Sequence, residues 1–241
     1  MLGTSMKFYE IKINLVLHTP LHFQKSLEPL SKLIATALMR SPLQKLHLQK
    51  GGFKHYVLSN LIETSQDKIY PKRNNFFFFR TPKKELAIAI SSVLIGYKDN
   101  LFDVKNVQIR EATFRRISSL ITLNPFVMSF TKDGRVRNWT MYEDGDIFFL
   151  QNALHNNLVK KYEDLFGQKL DTKENFIEFF ELKNQKPIVM HYKGGKIFGN
   201  KCYIVPKNDE VSQKLAALAL TEGLGEKNSL GFGFCKGFGK W

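Results

Sequence analysis

The sequence of 241 residues predicts an α+β protein built from two β-α-β-β-α-β units in tandem. Two observations carry this prediction. Segments with alternating or continuous apolar residues, typical of strands, are separated by segments with apolar residues at helical spacing. The same order of six elements then occurs twice, although the halves share no detectable sequence similarity. We therefore expect two antiparallel sheets, each backed by two helices.

The first unit opens with an alternating strand and continues through clear breaks. The helix after this strand has apolar residues at helical spacing, the Gly51-Gly52 pair interrupts the chain, and four consecutive Phe residues mark a later strand. In order, we predict a strand at 7–17, a helix at 27–40, strands at 53–63 and 75–80, a helix at 86–94 and a strand at 104–116.

The second unit repeats this order and adds a hairpin, which the Asp133-Gly134 pair marks. The predicted elements are a strand at 120–131, a helix at 147–166, strands at 176–182, 187–192 and 196–205, a helix at 209–222, and a last strand from 231. Both units are expected to be ferredoxin-like (RRM-like) domains, the first over residues 1–118 and the second over residues 119–241.

The composition favours a globular protein that binds a polyanion. Thirty-six Lys and Arg against 22 Asp and Glu give a formal net charge of +14, which is typical of nucleic-acid-binding proteins. The alternative is a basic surface with no specific partner. The 21 Phe and 8 Tyr exclude global disorder. No apolar run has the ~20 residues that span a bilayer, and the alternating first strand is unlike a secretion signal.

Two cysteines, Cys202 and Cys235, are too few for a disulfide framework or a four-ligand zinc site. We interpret them as reduced thiols of a cytoplasmic protein. No group of His, Cys and carboxylate residues has the spacing of metal ligands, so we predict neither a metal nor a cofactor.

The most distinctive motif is GLGEKNSLGFG at 223–233, in which two Gly-apolar-Gly triplets flank five residues. Glycines allow positive φ angles, and exposed amides in such a loop bind phosphate oxygens. A Walker loop is excluded by the sequence, and a dinucleotide fingerprint is excluded because no βαβ unit can follow. The alternative is a glycine-rich turn before an ordinary strand. The candidate RNA-binding residues are Gly223, Gly225, Lys227, Asn228, Ser229, Gly231 and Gly233.

A second candidate is His47, which lies between the predicted first helix and the segment KGGFKH at 50–55. A histidine has an ordinary pKa of ~6.5, so beside lysines it can act as an acid or base next to a phosphate. The alternative is an ordinary surface histidine.

The sequence resembles the CRISPR-associated endoribonucleases of the Cas6 family, which cut precursor CRISPR RNA within its repeats. The resemblance is strongest over EGLGEKNSLGFG at 222–233, and it extends to the strand from Met6, to TLNP at 122–125 and to the Lys161-Tyr162 pair. Members of this family are tandem ferredoxin-like proteins, which agrees with the element order.

The resemblance implies metal-independent cutting, in which the ribose 2′-OH attacks the adjacent phosphate and leaves a 2′,3′-cyclic phosphate and a 5′-OH. It implies that His47 is a general acid or base and that a nearby lysine, Lys54 or else Lys50, stabilises the phosphate. Some members add a tyrosine on the first helix, where this chain has Ala35. The glycine-rich segment is implied to contact the RNA backbone.

Rival functions remain at this point. One is a family member that binds CRISPR repeat RNA and cuts it slowly or not at all, which the missing tyrosine favours. Another is a general RNA-binding protein with tandem ferredoxin-like domains. Membership of a CRISPR effector complex and formation of a homodimer are left open.

Overall fold

A computed structural model describes residues 6–49, 51–62, 65, 67–143 and 145–240 of the chain. These residues form helices and antiparallel strands, as the sequence predicts. No helix among them is both long enough and apolar enough to cross a membrane.

The first half forms one four-stranded sheet with two long helices and short accessory elements. Its elements are β1 (Lys7–Leu17), β2 (Leu21–His22), α1 (Leu27–Met39), α2 (Gln44–Leu48), β3 (Val57–Leu58), β4 (Ile69–Tyr70), β5 (Asn74–Thr81), α3 (Lys84–Leu94) and β6 (Phe102–Thr113).

The second half forms another four-stranded sheet with two helices and two accessory hairpins. Its elements are β7 (Arg116–Thr122), β8 (Ser129–Lys132), β9 (Arg135–Asn138), α4 (Ile147–Phe166), β10 (Ile177–Leu182), β11 (Ile188–Tyr192), β12 (Gly195–Gly199), β13 (Cys202–Pro206), α5 (Glu210–Glu222) and β14 (Cys235–Lys240).

The two main sheets have the same topology. The strand order is β3-β5-β1-β6 in the first and β10-β13-β7-β14 in the second, and all the pairings are antiparallel. Numbered within its own unit, each sheet reads 2-3-1-4, because the helices carry the chain across the sheet between the paired strands. This confirms the predicted α+β fold with tandem ferredoxin-like domains.

Each sheet buries an apolar face against its helices. In the first half, Ile11 and Ile13 of β1 pack with Leu30 and Ile34 of α1. In the second half, the buried stripe of α4 packs with α5 and β7. In the four-phenylalanine strand, successive side chains point to opposite faces of the sheet, as in any strand. Phe77 and Phe79 share one face and are fully buried.

Two predicted strands of the second half are shorter than expected. The predicted strand at 120–131 ends at Thr122, because the chain leaves the sheet and the buried Asn124 then bonds groups outside it. The predicted strand at 196–205 divides into β12 and β13. At Gly199 the chain passes so near Phe126 that an added Cβ would lie 2.8 Å from the carbonyl oxygen of Phe126.

Two further strand predictions were wrong in extent. The strand predicted at 53–63 is only Val57–Leu58, because His55 just before it has a left-handed φ of 53°. The last strand begins at Cys235 and not at 231, because Gly231 and Gly233 have φ angles of 94° and 71°. Residues with positive φ cannot continue an extended strand.

The two halves are joined by buried polar contacts. The side-chain amide of Asn124 donates to the carbonyl oxygens of Leu58 and Gly231. The guanidinium of Arg80 donates to the Cys235 carbonyl oxygen at 2.6 Å and forms an ion pair with Glu10 at 2.7 Å. Both of these buried donor groups therefore have partners across or beside the junction, and these bonds hold the two halves in one arrangement.

Candidate active site

The segment 223–233, here called the glycine loop, is wedged between the two halves. It leaves α5 and turns through a short 3-10 helix, Asn228–Leu230, before β14. An added Cβ on Gly231 would lie 2.8 Å from the Leu27 side chain of α1, and one on Gly233 would lie 1.9 Å from the Leu224 carbonyl oxygen. The loop needs glycine at these positions because backbone and α1 fill the space.

Several backbone amides of the glycine loop are bonded inside the protein and are not exposed, contrary to the expectation from the sequence. The Gly233 amide donates to Pro125, and that of Leu224 donates to Gly233. The Glu226 amide donates to Val127 in the same way. Gly223, Gly225, Gly231 and Gly233 are all buried. The parts of the loop that reach solvent are the exposed Lys227 and the half-buried Glu226, Ser229 and Leu230.

The buried side chain of Lys161 holds the glycine loop in place through hydrogen bonds. It lies on the buried face of α4, and its ammonium donates to the Gly223 oxygen at 2.7 Å, the Gly225 oxygen at 2.9 Å and Asn228 Oδ1 at 2.7 Å. Its three donors are therefore satisfied. Burial lowers the pKa of Lys161 to about 8, and the carboxylate of Glu222 opposes part of this lowering.

Asn228 completes this internal arrangement. Its side-chain amide donates to the carbonyl oxygens of Leu224 at 3.2 Å and Phe232 at 3.0 Å, while its own oxygen accepts from Lys161. The side chain therefore holds the two arms of the loop together, and both of its N–H donors are used inside the protein.

His47 lies near the end of α2, and Lys54 turns back toward it. The Lys54 ammonium donates to the His47 carbonyl oxygen at 3.3 Å, and partial burial lowers the pKa of Lys54. Lys50 lies outside the described residues, so its placement beside His47 stays a prediction.

His47, Lys54 and Ser229 line one cleft of about 610 Å³, here called the His47 cleft. Its floor includes Ala35 of α1 and the buried Tyr56, whose pKa burial raises. The structure thus brings together the candidate histidine, a candidate lysine and one residue of the glycine loop. The cleft is rimmed by the cationic side chains of Lys32, Arg40 and Lys193.

A second cleft of about 500 Å³ lies beside the first, on the other side of Lys54. It extends along the exposed Gly51-Gly52 turn to Lys227. The two clefts share Lys54, Tyr56, Ser229 and Leu230 and are therefore adjacent.

Tyr192, at the end of β11, reaches the His47 cleft from the second half of the chain. Its hydroxyl and that of Ser31 on α1 are 3.0 Å apart, and the next backbone amide, of Lys193, donates to Glu28 at 2.7 Å. Sequence reasoning placed Tyr192 in a strand and gave it no role. No local signal identifies it, because only the docking of the β11–β12 hairpin onto α1 brings it to the cleft.

Sequence reasoning also gave no role to His55, which is buried between carboxylates of the second half. For Lys161 a signal did exist: it follows Leu154 and Leu158 on the apolar stripe of α4, where a lysine is out of place unless it is paired.

Among the described residues, no three His, Cys, Asp or Glu side chains are grouped so that they could hold a metal ion.

Two ferredoxin-like domains with a basic cleft at their junction, bordered by a glycine loop, are the architecture of a known class of RNA-processing proteins. The family model described as "CRISPR associated protein Cas6, C-terminal" matches residues 106–237, more than half of the chain. The chain belongs to the Cas6 family of CRISPR-associated proteins.

Curated relatives agree with this family. The chain is 25% identical over 137 residues to a putative CRISPR-associated endoribonuclease-like protein Cas6 of Pyrococcus furiosus, covering 56% of this chain and 52% of that protein. It is 25% identical over 154 residues to the corresponding protein Cas6nc of Pyrococcus horikoshii, covering 63% of this chain and 58% of that protein. The matches thus span little more than half the length of these relatives.

Solved structures share the fold over nearly the whole chain. One described as "CRISPR associated protein Cas6" has a TM-score of 0.72 at 21% identity and covers 96% of this chain and 100% of its own. "An RAMP protein binding different RNA substrates" has a TM-score of 0.73 at 16% identity, with 96% and 100% covered. A structure from a Cas6-related gene of Pyrococcus furiosus has a TM-score of 0.72 at 18% identity, with 98% and 99% covered. At these identities the likeness is one of fold.

Proposed function

We propose that this protein is a metal-independent endoribonuclease that cuts precursor CRISPR RNA within its repeats. The observation that carries the proposal is the meeting of His47, Lys54 and Ser229 in one cleft at the domain junction of a Cas6-family chain. An imidazole, an ammonium and a hydroxyl-bearing loop supply the groups that RNA transesterification needs.

The reaction has one bond-forming and one bond-breaking step. The ribose 2′-OH loses its proton and attacks the adjacent phosphorus, and the bond from phosphorus to the 5′-oxygen breaks. The products are a 2′,3′-cyclic phosphate and a 5′-OH, which takes up a proton. His47 is the residue that removes the first proton or supplies the second, because an imidazole exchanges protons near neutral pH.

Lys54 stabilises the negative charge that develops on the phosphate. Its ammonium is partly buried and tethered to the His47 carbonyl oxygen, so the cation is held close to the imidazole-bearing residue. A charge that is partly removed from water interacts more strongly with a phosphate than one in bulk solvent. Arg40 and Lys193 on the rim then bind the RNA backbone on either side.

The test uses wild-type protein, His47→Ala and a control variant, His18→Ala. His18 directly follows the end of β1 that is opposite Lys7. Each is incubated in excess with repeat RNA in EDTA, and product ends are analysed for cyclic phosphate and 5′-OH. We expect His47→Ala to lower the single-turnover rate by about 10²–10⁴-fold, while affinity for the RNA is retained. Unchanged cutting by His47→Ala would remove His47 from the mechanism.

A second candidate is a repeat-RNA-binding member of the family that cuts little or not at all. The observation that favours it is Ala35, which contributes only a methyl group to the His47 cleft where the family resemblance implies a tyrosine. This candidate is supported if the wild-type protein binds repeat RNA tightly and leaves it intact, both in EDTA and without it.

A further inference from the structure

His55 lies in a buried cluster of charges at the domain junction. Its Nδ1 is 3.0 Å from both carboxylate oxygens of Glu222, and its Nε2 is 2.8 Å from Oδ2 of Asp164. The residue is 4% exposed, although it carries two polar nitrogens. Its backbone has a φ of 53°, a conformation that a non-glycine residue keeps only when its surroundings fix it.

This arrangement leaves His55 no free ring nitrogen for RNA, although the residue borders the second cleft. Both ring nitrogens already face carboxylates, so neither is free to exchange a proton with a ribose or a phosphate oxygen. The ring therefore acts on its neighbours and not on the substrate.

The neighbours of His55 are the residues that build the His47 cleft. Lys54 precedes it and Tyr56 follows it, and both line the cleft. Glu222 immediately precedes the glycine loop, and Asp164 is one turn of α4 beyond Lys161, which holds that loop. One imidazole thus ties the segment carrying Lys54 to Glu222, which directly precedes the glycine loop, and to the part of α4 that directly follows Lys161.

We infer that His55 is a positioning residue, which fixes Lys54 of the first domain against the glycine loop of the second through Glu222 and Asp164. The inference rests on the proposed function, because what it positions is the cutting site. A positioning contact of this kind strongly affects rate, since a shift of 1 Å at the reacting groups costs on the order of 10²-fold.

The decisive variant is His55→Gly. Glycine adopts the φ of this position without strain, so the variant removes the ring and its ion pairs while the backbone conformation remains allowed. We expect the single-turnover rate at saturating protein to fall by about 100-fold, with repeat-RNA affinity changed by less than about threefold. Added imidazole, which refills the site between the carboxylates, is expected to restore part of the rate.

Asp164→Asn provides a second measurement that disturbs the fold less than His55→Gly, because the Asp164 side chain is 49% exposed. Its matched control is Asp171→Asn, which removes the same charge from an exposed position. We expect the rate to fall in Asp164→Asn and to stay at the wild-type value in Asp171→Asn.

The outcomes separate this inference from the proposed function. Wild-type cutting with unchanged rates in His55→Gly and Asp164→Asn overturns the positioning role alone. Equal losses of rate and affinity, without rescue by imidazole, also overturn it, since they indicate general loss of structure. If the wild-type protein does not cut, the proposed function fails, and with it the role assigned to His55.

Discussion

At the scale of single residues, the glycine loop is built differently from a phosphate-binding loop with open amides. Its glycines are buried, and the amides at Gly233, Leu224 and Glu226 are used inside the protein. A buried lysine, Lys161, takes up the carbonyl oxygens that the turn directs inward. The glycines are therefore required by packing, and the side chains that the turn presents to solvent are those of the exposed Lys227 and the half-buried Glu226, Ser229 and Leu230.

Gly233→Ala tests this assignment. The new Cβ would lie 1.9 Å from the Leu224 carbonyl oxygen, a clash with backbone that no rotamer relieves. The matched control is Gly167→Ala, which has a similar positive φ of 65° but nothing within 4 Å of the added Cβ. By urea unfolding, we expect Gly233→Ala to lose at least ~2 kcal/mol more than the control. Equal losses would mean that only backbone conformation matters there.

At the scale of elements, the β11–β12 hairpin forms part of a site whose other members come from the first domain and from the glycine loop. It lies outside both main sheets, and its end is held on α1 by the Tyr192–Ser31 contact and the Lys193–Glu28 contact. The half-buried Tyr192 ring lines the same cleft as His47. A tyrosine whose hydroxyl is anchored presents its ring in a fixed orientation, which suits stacking on a base.

Two variants separate the ring of Tyr192 from its hydroxyl. Tyr192→Ala removes both, and we expect repeat-RNA binding to weaken by ~1–3 kcal/mol. Tyr192→Phe keeps the ring and removes only the hydrogen bond to Ser31, so it should bind within about threefold of wild type. The control is Tyr142→Ala, which removes a 70% exposed tyrosine that does not line the His47 cleft. Equal affinities in a binding titration of all four proteins would contradict a stacking role.

At the scale of the whole molecule, the net charge of +14 predicts RNA affinity that falls steeply with salt. Lys227 contributes to this only if the glycine loop lies on the RNA. We expect Lys227→Ala to reduce the slope of log K against log salt by about 0.7.

Lys207→Ala is the matched control for this measurement, because α5, a helix of 13 residues and so about 20 Å long, separates Lys207 from the loop. Its slope should equal that of the wild-type protein. If Lys227→Ala also leaves the slope unchanged, the glycine loop does not lie on the RNA.

The buried thiols give a pH dependence of stability. Burial raises the pKa of Cys235 to about 12 from an ordinary value of 9.0. Above pH 9 the unfolded chain therefore releases the thiol proton while the folded chain keeps it, and stability falls as pH rises. Between pH 8 and pH 10 we expect wild type to lose ~1.4 kcal/mol more than Cys235→Ala in urea unfolding. Parallel curves for the two proteins would refute this.

Local sequence patterns were sufficient for much of the fold. The strand at 7–17 and the helix at 147–166 have the predicted bounds, because their apolar periodicity is uninterrupted over many residues. The Asp133-Gly134 turn joins β8 to β9 as expected, with both residues at positive φ. Predictions failed where a tertiary contact ended a strand, as at Asn124 and Gly231.

The sequence by itself determined the order of elements, the basic character and the residues that identify the family, because each depends on local periodicity, composition or a contiguous motif. Only the tertiary structure decided which groups share the cleft. Tyr192 and His47 are far apart in the chain, and His55 meets Glu222 and Asp164 only when the two domains pack together. The physical reason is that burial and ion pairing depend on which surfaces meet in space, and no local pattern records that.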